Sequence, residues 1–165
     1  MDCPDILDFE ASGFGSRSYP VEVGFSLVSG ERFCALIRPD ESWDYWDFRA
    51  EAIHGISRGL LLTRGNDVRQ VCRELNHRLE GRTLYSDAWV ADKGWCNRLF
   101  EAACMQPTFR LSAIENVQSE CQYLIWDEVR RKLLQNTEMH RHRASVDAEF
   151  IQKVFRETRQ LCLRS

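Results

Sequence analysis

The sequence has no apolar run long enough to cross a bilayer, and its start, Met1-Asp2-Cys3-Pro4-Asp5, is acidic where a secretory leader is basic and then apolar. A cytoplasmic protein with no membrane partner is expected. Proline is scarce at 4 and glycine modest at 9, which excludes collagenous and low-complexity chains. The seven cysteines, at positions 3, 34, 72, 96, 104, 121 and 162, form no C-x-x-C pair. Metal clusters and redox motifs need such short spacings, so reduced, mostly buried thiols are expected, and no structural zinc at the one close histidine pair, His140 and His142. An excess of positive charge is also missing, with 22 Lys and Arg against 25 Asp and Glu, a net charge of −3. A protein that coats long duplex needs many Lys and Arg at phosphates, so that class is disfavoured. An enzyme whose positive charge arrives as bound metal is not.

What is present is an ordinary soluble composition: 165 residues, 44% apolar and 28% charged. No repeat, low-complexity tract or linker divides the chain, and one domain spanning residues 1–165 is expected. Ile6 to Glu10 is short, apolar and β-prone and runs into Ala11-Ser12-Gly13-Phe14-Gly15, which reads as a strand ending in a loop. The runs Val21 to Val28 and Arg32 to Ile37, divided by Ser29-Gly30-Glu31, read as an antiparallel hairpin. An irregular aromatic segment follows, with Trp43, Tyr45, Trp46 and Phe48; it reads first as a local core, with a stacking platform or partner patch as the rival uses.

From Asn66 or Asp67 to Leu79, Val68, Val71, Cys72, Leu75 and Leu79 recur at helical spacing with Gly81 after them. Thr83 to Ser86 reads as a strand and 92–104 as a helix with Trp95, Leu99, Phe100 and Ala103 on one face; a further short strand is expected at Phe109 to Leu111. Two helices close the chain. One carries Tyr123, Leu124, Trp126, Val129, Leu133 and Leu134 as its stripe, the other Phe150, Ile151, Val154, Phe155 and Leu161. This order predicts an α/β domain with a mixed sheet.

Asp8-Phe9-Glu10 is the most informative segment. Strand side chains alternate faces, so Asp8 and Glu10 project together while Leu7 and Phe9 enter the opposite, buried layer. Two carboxylates side by side repel unless solvated or bridged by a hard cation. Taken alone, D-x-E also reads as a solvated strand end. The segment His142-Arg143-Ala144-Ser145-Val146-Asp147 adds a histidine placed before a helix and an Asp in its first turns; each also has a plain reading, a surface loop histidine and an Asp favoured by the helix dipole.

Together these segments resemble the DEDDh exonucleases. Asp8-Phe9-Glu10-Ala11-Ser12-Gly13 is similar to the family's first motif, and His142 to Asp147 to its third, H-x-x-x-x-D. Asp92 holds the place of the second-motif Asp; the usual His-Asn ahead of it is replaced around Ser86-Asp87, which makes Asp87 a rival. Ala52-Ile53-His54-Gly55-Ile56-Ser57 also resembles a segment of the family, and Ala11 stands where many members have Thr.

The resemblance implies a ribonuclease H-like fold, with a mixed five-stranded sheet whose second strand is antiparallel, flanked by helices. It implies that Asp8, Glu10, Asp92 and Asp147 hold two Mg²⁺ or Mn²⁺ ions, with His142 as general base. The implied activity is 3′→5′ release of nucleoside 5′-monophosphates from single-stranded DNA or short RNA. Backbone N–H groups of Ala11 and Ser12 would meet the terminal sugar, Phe14 the last base, His54 and Trp89 would line the cleft, and Arg141 and Arg143, flanking His142, would meet phosphates; the plain readings are loop packing for Phe14, a helix-capping histidine, a core tryptophan and solvated loop charges. The partners implied are oligonucleotides and single-stranded ends, and homodimers occur among relatives. Two ions would move the formal charge from −3 to about +1, counting +2 for each. The rival functions are an oligonucleotidase for very short RNA and a binding module of the same fold without catalysis.

Overall fold

A computed structural model describes residues 3–135 and 143–164. Five strands and six helices follow in the order β1 (Ile6–Ala11), β2 (Pro20–Ser26), β3 (Arg32–Leu36), α1 (Phe48–His54), α2 (Arg58–Arg64), α3 (Val68–Leu79), β4 (Thr83–Ser86), α4 (Trp89–Ala102), β5 (Arg110–Ala113), α5 (Glu120–Gln135) and α6 (Ala144–Arg164). The strands form one sheet in the order β3-β2-β1-β4-β5. β2 runs antiparallel to both neighbours, while β1, β4 and β5 are parallel to one another, so the expected mixed sheet with an antiparallel second strand is the one found.

The sheet separates two apolar layers. Leu7 and Phe9 of β1 join Val21, Val23 and Phe25 of β2 on the face covered by α3 and α4. Ile6 lies on the other face with Trp126 and Val129 of α5 and Phe150, Ile151, Val154 and Phe155 of α6. Alternation then places Asp8 and Glu10 on the α6 side, beyond Ile6. β2 is buried along its whole length because α6 lies across its second face. Gly24 makes this approach possible: a Cβ there would collide with the backbone of Ala144 and Ser145. Polar groups in this layer are paired, with the Ser26 hydroxyl donating to Gln152 Oε1 at 2.8 Å and Gln152 Nε2 donating to the carbonyls of Pro4 and Ser26.

Local chemistry explains most boundaries. Asp67 accepts from the N–H groups of Arg69 and Gln70 and starts α3. The Ser119 hydroxyl accepts from Gln122 N–H while Gln122 Oε1 accepts from Ser119 N–H, a reciprocal cap ahead of α5. Three sequence expectations need correction. The segment after β3 holds two short helices that apolar periodicity did not reveal; they are set by caps, Asp47 with Gly55 at φ 69° for α1 and Ser57 for α2. Tyr123 and Leu124 do not share the α5 stripe; they are exposed, and the buried positions are Gln122, Trp126 and Val129. Nor are the thiols all reduced and mostly buried, because Cys121 of α5 and Cys162 of α6 form a disulfide and Cys34 and Cys104 are exposed.

The aromatic segment is largely a local core. Trp43 is 3% exposed and stacks on Tyr19, and Trp46 Nε1 donates to Glu51 Oε2 at 2.6 Å; only Phe48 stands in solvent. Among the described residues, no helix is long and apolar enough to cross a membrane.

Candidate active site

The carboxyl ends of β1 and β4 open into a cleft, the usual place for a ligand in an open α/β sheet. β1 brings Asp8 and Glu10 there, and a register shift between Glu10 and Ala11 marks the point where its pairing with β2 becomes irregular. α6 brings Asp147 from its first turn. One carboxylate oxygen from each of Asp8, Glu10 and Asp147 lies within 4.8 Å of the others. These three residues line a cleft of about 170 Å³ together with Asp87, the residue after β4, and Arg130 of α5.

The electrostatics follow from this crowding. Burial, then the charges of Asp92, Glu10 and Asp147, push the Asp8 carboxyl well above the usual range. Asp92, in the first turn of α4, is 1% exposed and accepts from the Ser86 hydroxyl. Burial pushes it up to about 7; bonds from Ser86 and the Phe9 N–H pull the other way, and Asp87 adds to the rise. Asp92 thus acts on Asp8 more strongly than any other carboxylate does, while its oxygens stand outside the three-residue cluster. Asp87 lines the cleft directly but is engaged by Arg130, Nη2 to Oδ2 at 3.4 Å.

Glu22 had no place in the sequence argument, although a lone charge in the apolar run Val21-Glu22-Val23 is a signal that something buried needs it. It is fully buried and lies opposite Glu10 across the β1–β2 pair, an arrangement that would set two like charges against each other. Arg143 resolves it, with Nη2 on Oε1 at 2.7 Å, and the Ala144 N–H donates to Oε2 at 2.8 Å. Arg143 therefore meets a carboxylate rather than reaching freely for phosphate, and the first turn of α6 is held to the sheet a few residues before Asp147.

The remaining expected residues divide. Phe14 is 75% exposed at the mouth of a groove of about 810 Å³ that also takes in Trp89, Val90, Trp95 and Arg98. Trp89 opens α4 and is steered by its Nε1–H, which donates to the Leu111 carbonyl at 3.1 Å. Ala11, Phe14 and His54 meet around a smaller apolar recess with Ile53 and Trp95. His54 Nδ1 accepts from the Ile56 N–H at 3.0 Å and its ring lies edge-on to Trp46. Ser12, expected at the terminal sugar, donates its N–H to the Tyr19 carbonyl at 2.9 Å, and its hydroxyl accepts from the Tyr19 N–H. His142 and Arg141 lie outside the described residues.

The sequence matches no family model and no curated protein. Among solved structures, the chain is similar to E. coli exonuclease I in complex with a dA16 oligonucleotide, at TM-score 0.73 and 12% identity over 94% of this chain and 40% of that one. It is also similar to the zinc-bound form of the E. coli exonuclease I–ssDNA complex, at 0.70 and 14% over 97% and 41%. A third match is the moderately thermophilic exonuclease I of Methylocaldum szegediense, at 0.65 and 14% over 98% and 42%. This chain spans about two fifths of the length of those proteins. The strand order, the antiparallel β2 and these matches agree, and the chain has the ribonuclease H-like fold.

Proposed function

We propose that the chain is a metal-dependent 3′→5′ exonuclease acting on single-stranded DNA or short RNA. The observation that carries this reading is the convergence of Asp8, Glu10 and Asp147 within 4.8 Å in a cleft that shares Asp87 and Ala88 with a groove bearing exposed aromatic rings. The donor set fits a hard divalent cation of the Mg²⁺ or Mn²⁺ kind. All three ligands are carboxylates, and the Asp8 carboxyl is raised first by burial and then by the neighbouring acids, a combination that a bound cation would relieve. When bound, such ions make water a stronger nucleophile and stabilise negative charge on a phosphoryl group.

The chain's own residues then have definite tasks. Asp8, Glu10 and Asp147 hold the cations, and Asp92, whose charge bears on Asp8, is the fourth acid of the set. Asp87 stays with Arg130. His142, two positions before the first residue of α6, takes the proton of the attacking water; support for this comes from its spacing to Asp147. Phe14 and Trp89 offer faces to unpaired bases, a contact that tolerates any sequence and favours single strands. Ala11 and His54, beside Phe14, border the recess for the terminal nucleoside. Exonuclease I from E. coli has been solved with single-stranded oligonucleotides, which supports a substrate of that class here.

The test is a ladder assay on 5′-labelled DNA and RNA with Mg²⁺ or Mn²⁺. Stepwise shortening from the 3′ end with release of 5′-mononucleotides is the expected result. Intact substrate under all conditions, or full activity in Asp8→Asn, overturns the reading. Because Asp92 stands outside the close cluster, the second reading is a single-strand-binding module without turnover. It gains if calorimetry shows no Mn²⁺ binding at millimolar concentrations while the oligonucleotide still binds.

A further inference from the structure

We infer that Arg130 is a phosphate-binding residue of this site, its guanidinium aimed by Asp87 so that it grips a phosphodiester of the bound strand. The inference rests on the exonuclease reading for the identity of the strand. Its own basis is the position of one side chain. Arg130 is the one cationic residue among the described residues lining the cleft of Asp8, Glu10 and Asp147. A guanidinium carries five donors and no acceptor, so it cannot ligate a cation. Its use beside a cation-binding cluster is to share an anion with that cation, as arginines do at transferring phosphoryl groups.

The pairing leaves capacity for this. The Arg130–Asp87 contact is a long one, Nη2 to Oδ2 at 3.4 Å. Its Nε–H is buried and has no hydrogen-bond partner among the described residues. A buried donor left unmade is costly, and here it belongs to a side chain that lines the cleft and is 38% exposed overall. A phosphate oxygen would satisfy donors that Asp87 does not. The contact is absent from sequence spacing, because Asp87 and Arg130 lie 43 positions apart and meet only in the folded chain.

A binding cycle decides the matter without requiring turnover. Fluorescein-labelled dT8 and the same strand with a neutral methylphosphonate as its last 3′ linkage are titrated by anisotropy in Ca²⁺. Wild type is expected to prefer the phosphodiester by about tenfold, and Arg130→Gln to bind both strands alike at the weaker affinity. Arg130→Lys keeps the charge and the Asp87 partner but lacks the fork, and should recover part of the preference. Undiminished discrimination in Arg130→Gln, or none in wild type, overturns the inference. So does a loss in Arg130→Gln of Mn²⁺ affinity measured by calorimetry, since that marks a merely structural role. Wild type that discriminates but releases no nucleotide with Mn²⁺ overturns the exonuclease reading and leaves Arg130 as a phosphate contact.

Discussion

Asp92 illustrates how burial at one residue becomes a measurable property. Its carboxyl is pushed up to about 7 from an ordinary 3.8, so between those values the folded chain holds a proton that the unfolded chain has released. The stability that this one proton contributes to the metal-free protein should therefore be fully present below about pH 4 and be lost as pH rises toward 7, by up to about 1.4 kcal/mol per pH unit. Melting in EDTA across pH 5 to 8 should show this decline, and Asp92→Asn should make it shallower, the raised Asp8 carboxyl supplying the rest. Mn²⁺ should raise the melting temperature more at pH 8 than at pH 5, because cation and proton compete for the same oxygens. Phe14 makes a different demand. Its ring is 75% exposed and has little packing to lose, so Phe14→Ala should leave melting nearly unchanged and raise KM for single strands by about tenfold, the value of one stacked base.

At the scale of elements, the site depends on how the first turn of α6 is pinned to β2. Gly24 lets the backbones meet, and Glu22 holds Arg143 and the Ala144 N–H from within the sheet. Gly24→Ala should cost about 2–3 kcal/mol in urea unfolding, because a collision with backbone has no rotamer to relieve it. Glu22→Ala should cost a similar ~2–3 kcal/mol, less than a fully buried pair would since Arg143 is half exposed. In Glu22→Gln the fold should survive while kcat falls more than KM changes, because Asp147 is displaced rather than the groove. The sequence already held the patterns for β1, the β2–β3 hairpin, α3 and β4, where alternation or helical spacing is strong. It did not hold α1 and α2, whose seven-residue lengths are too short for a periodic stripe.

For the whole molecule, the disulfide between Cys121 and Cys162 ties α5 to α6, the two helices that bring Arg130 and Asp147 to the cleft. With a sequence separation of 41 between its ends, the chain-entropy argument assigns it about 4 kcal/mol. Reduction, or Cys121→Ser with Cys162→Ser, should lower the urea midpoint accordingly, while substitution of exposed Cys104 should not. Cys72 and Cys96, buried with thiols pushed up to about 12, should resist alkylation in the folded state.

The sequence by itself determined the class of fold and the first pair of acids. Alternation in Ile6 to Ala11 leaves no other way to bury Leu7 and Phe9 than to present Asp8 and Glu10 together. It also pointed to Asp147, which the structure sets 4.8 Å or less from both. Only the tertiary structure decided the environment of these charges: Asp92 sealed beneath Ser86, Asp87 drawn to Arg130, and Glu10 relieved of Glu22 by Arg143. Those pairings join residues between 6 and 121 positions apart and depend on burial, whose electrostatic consequences arise only once the strands and helices have closed around them.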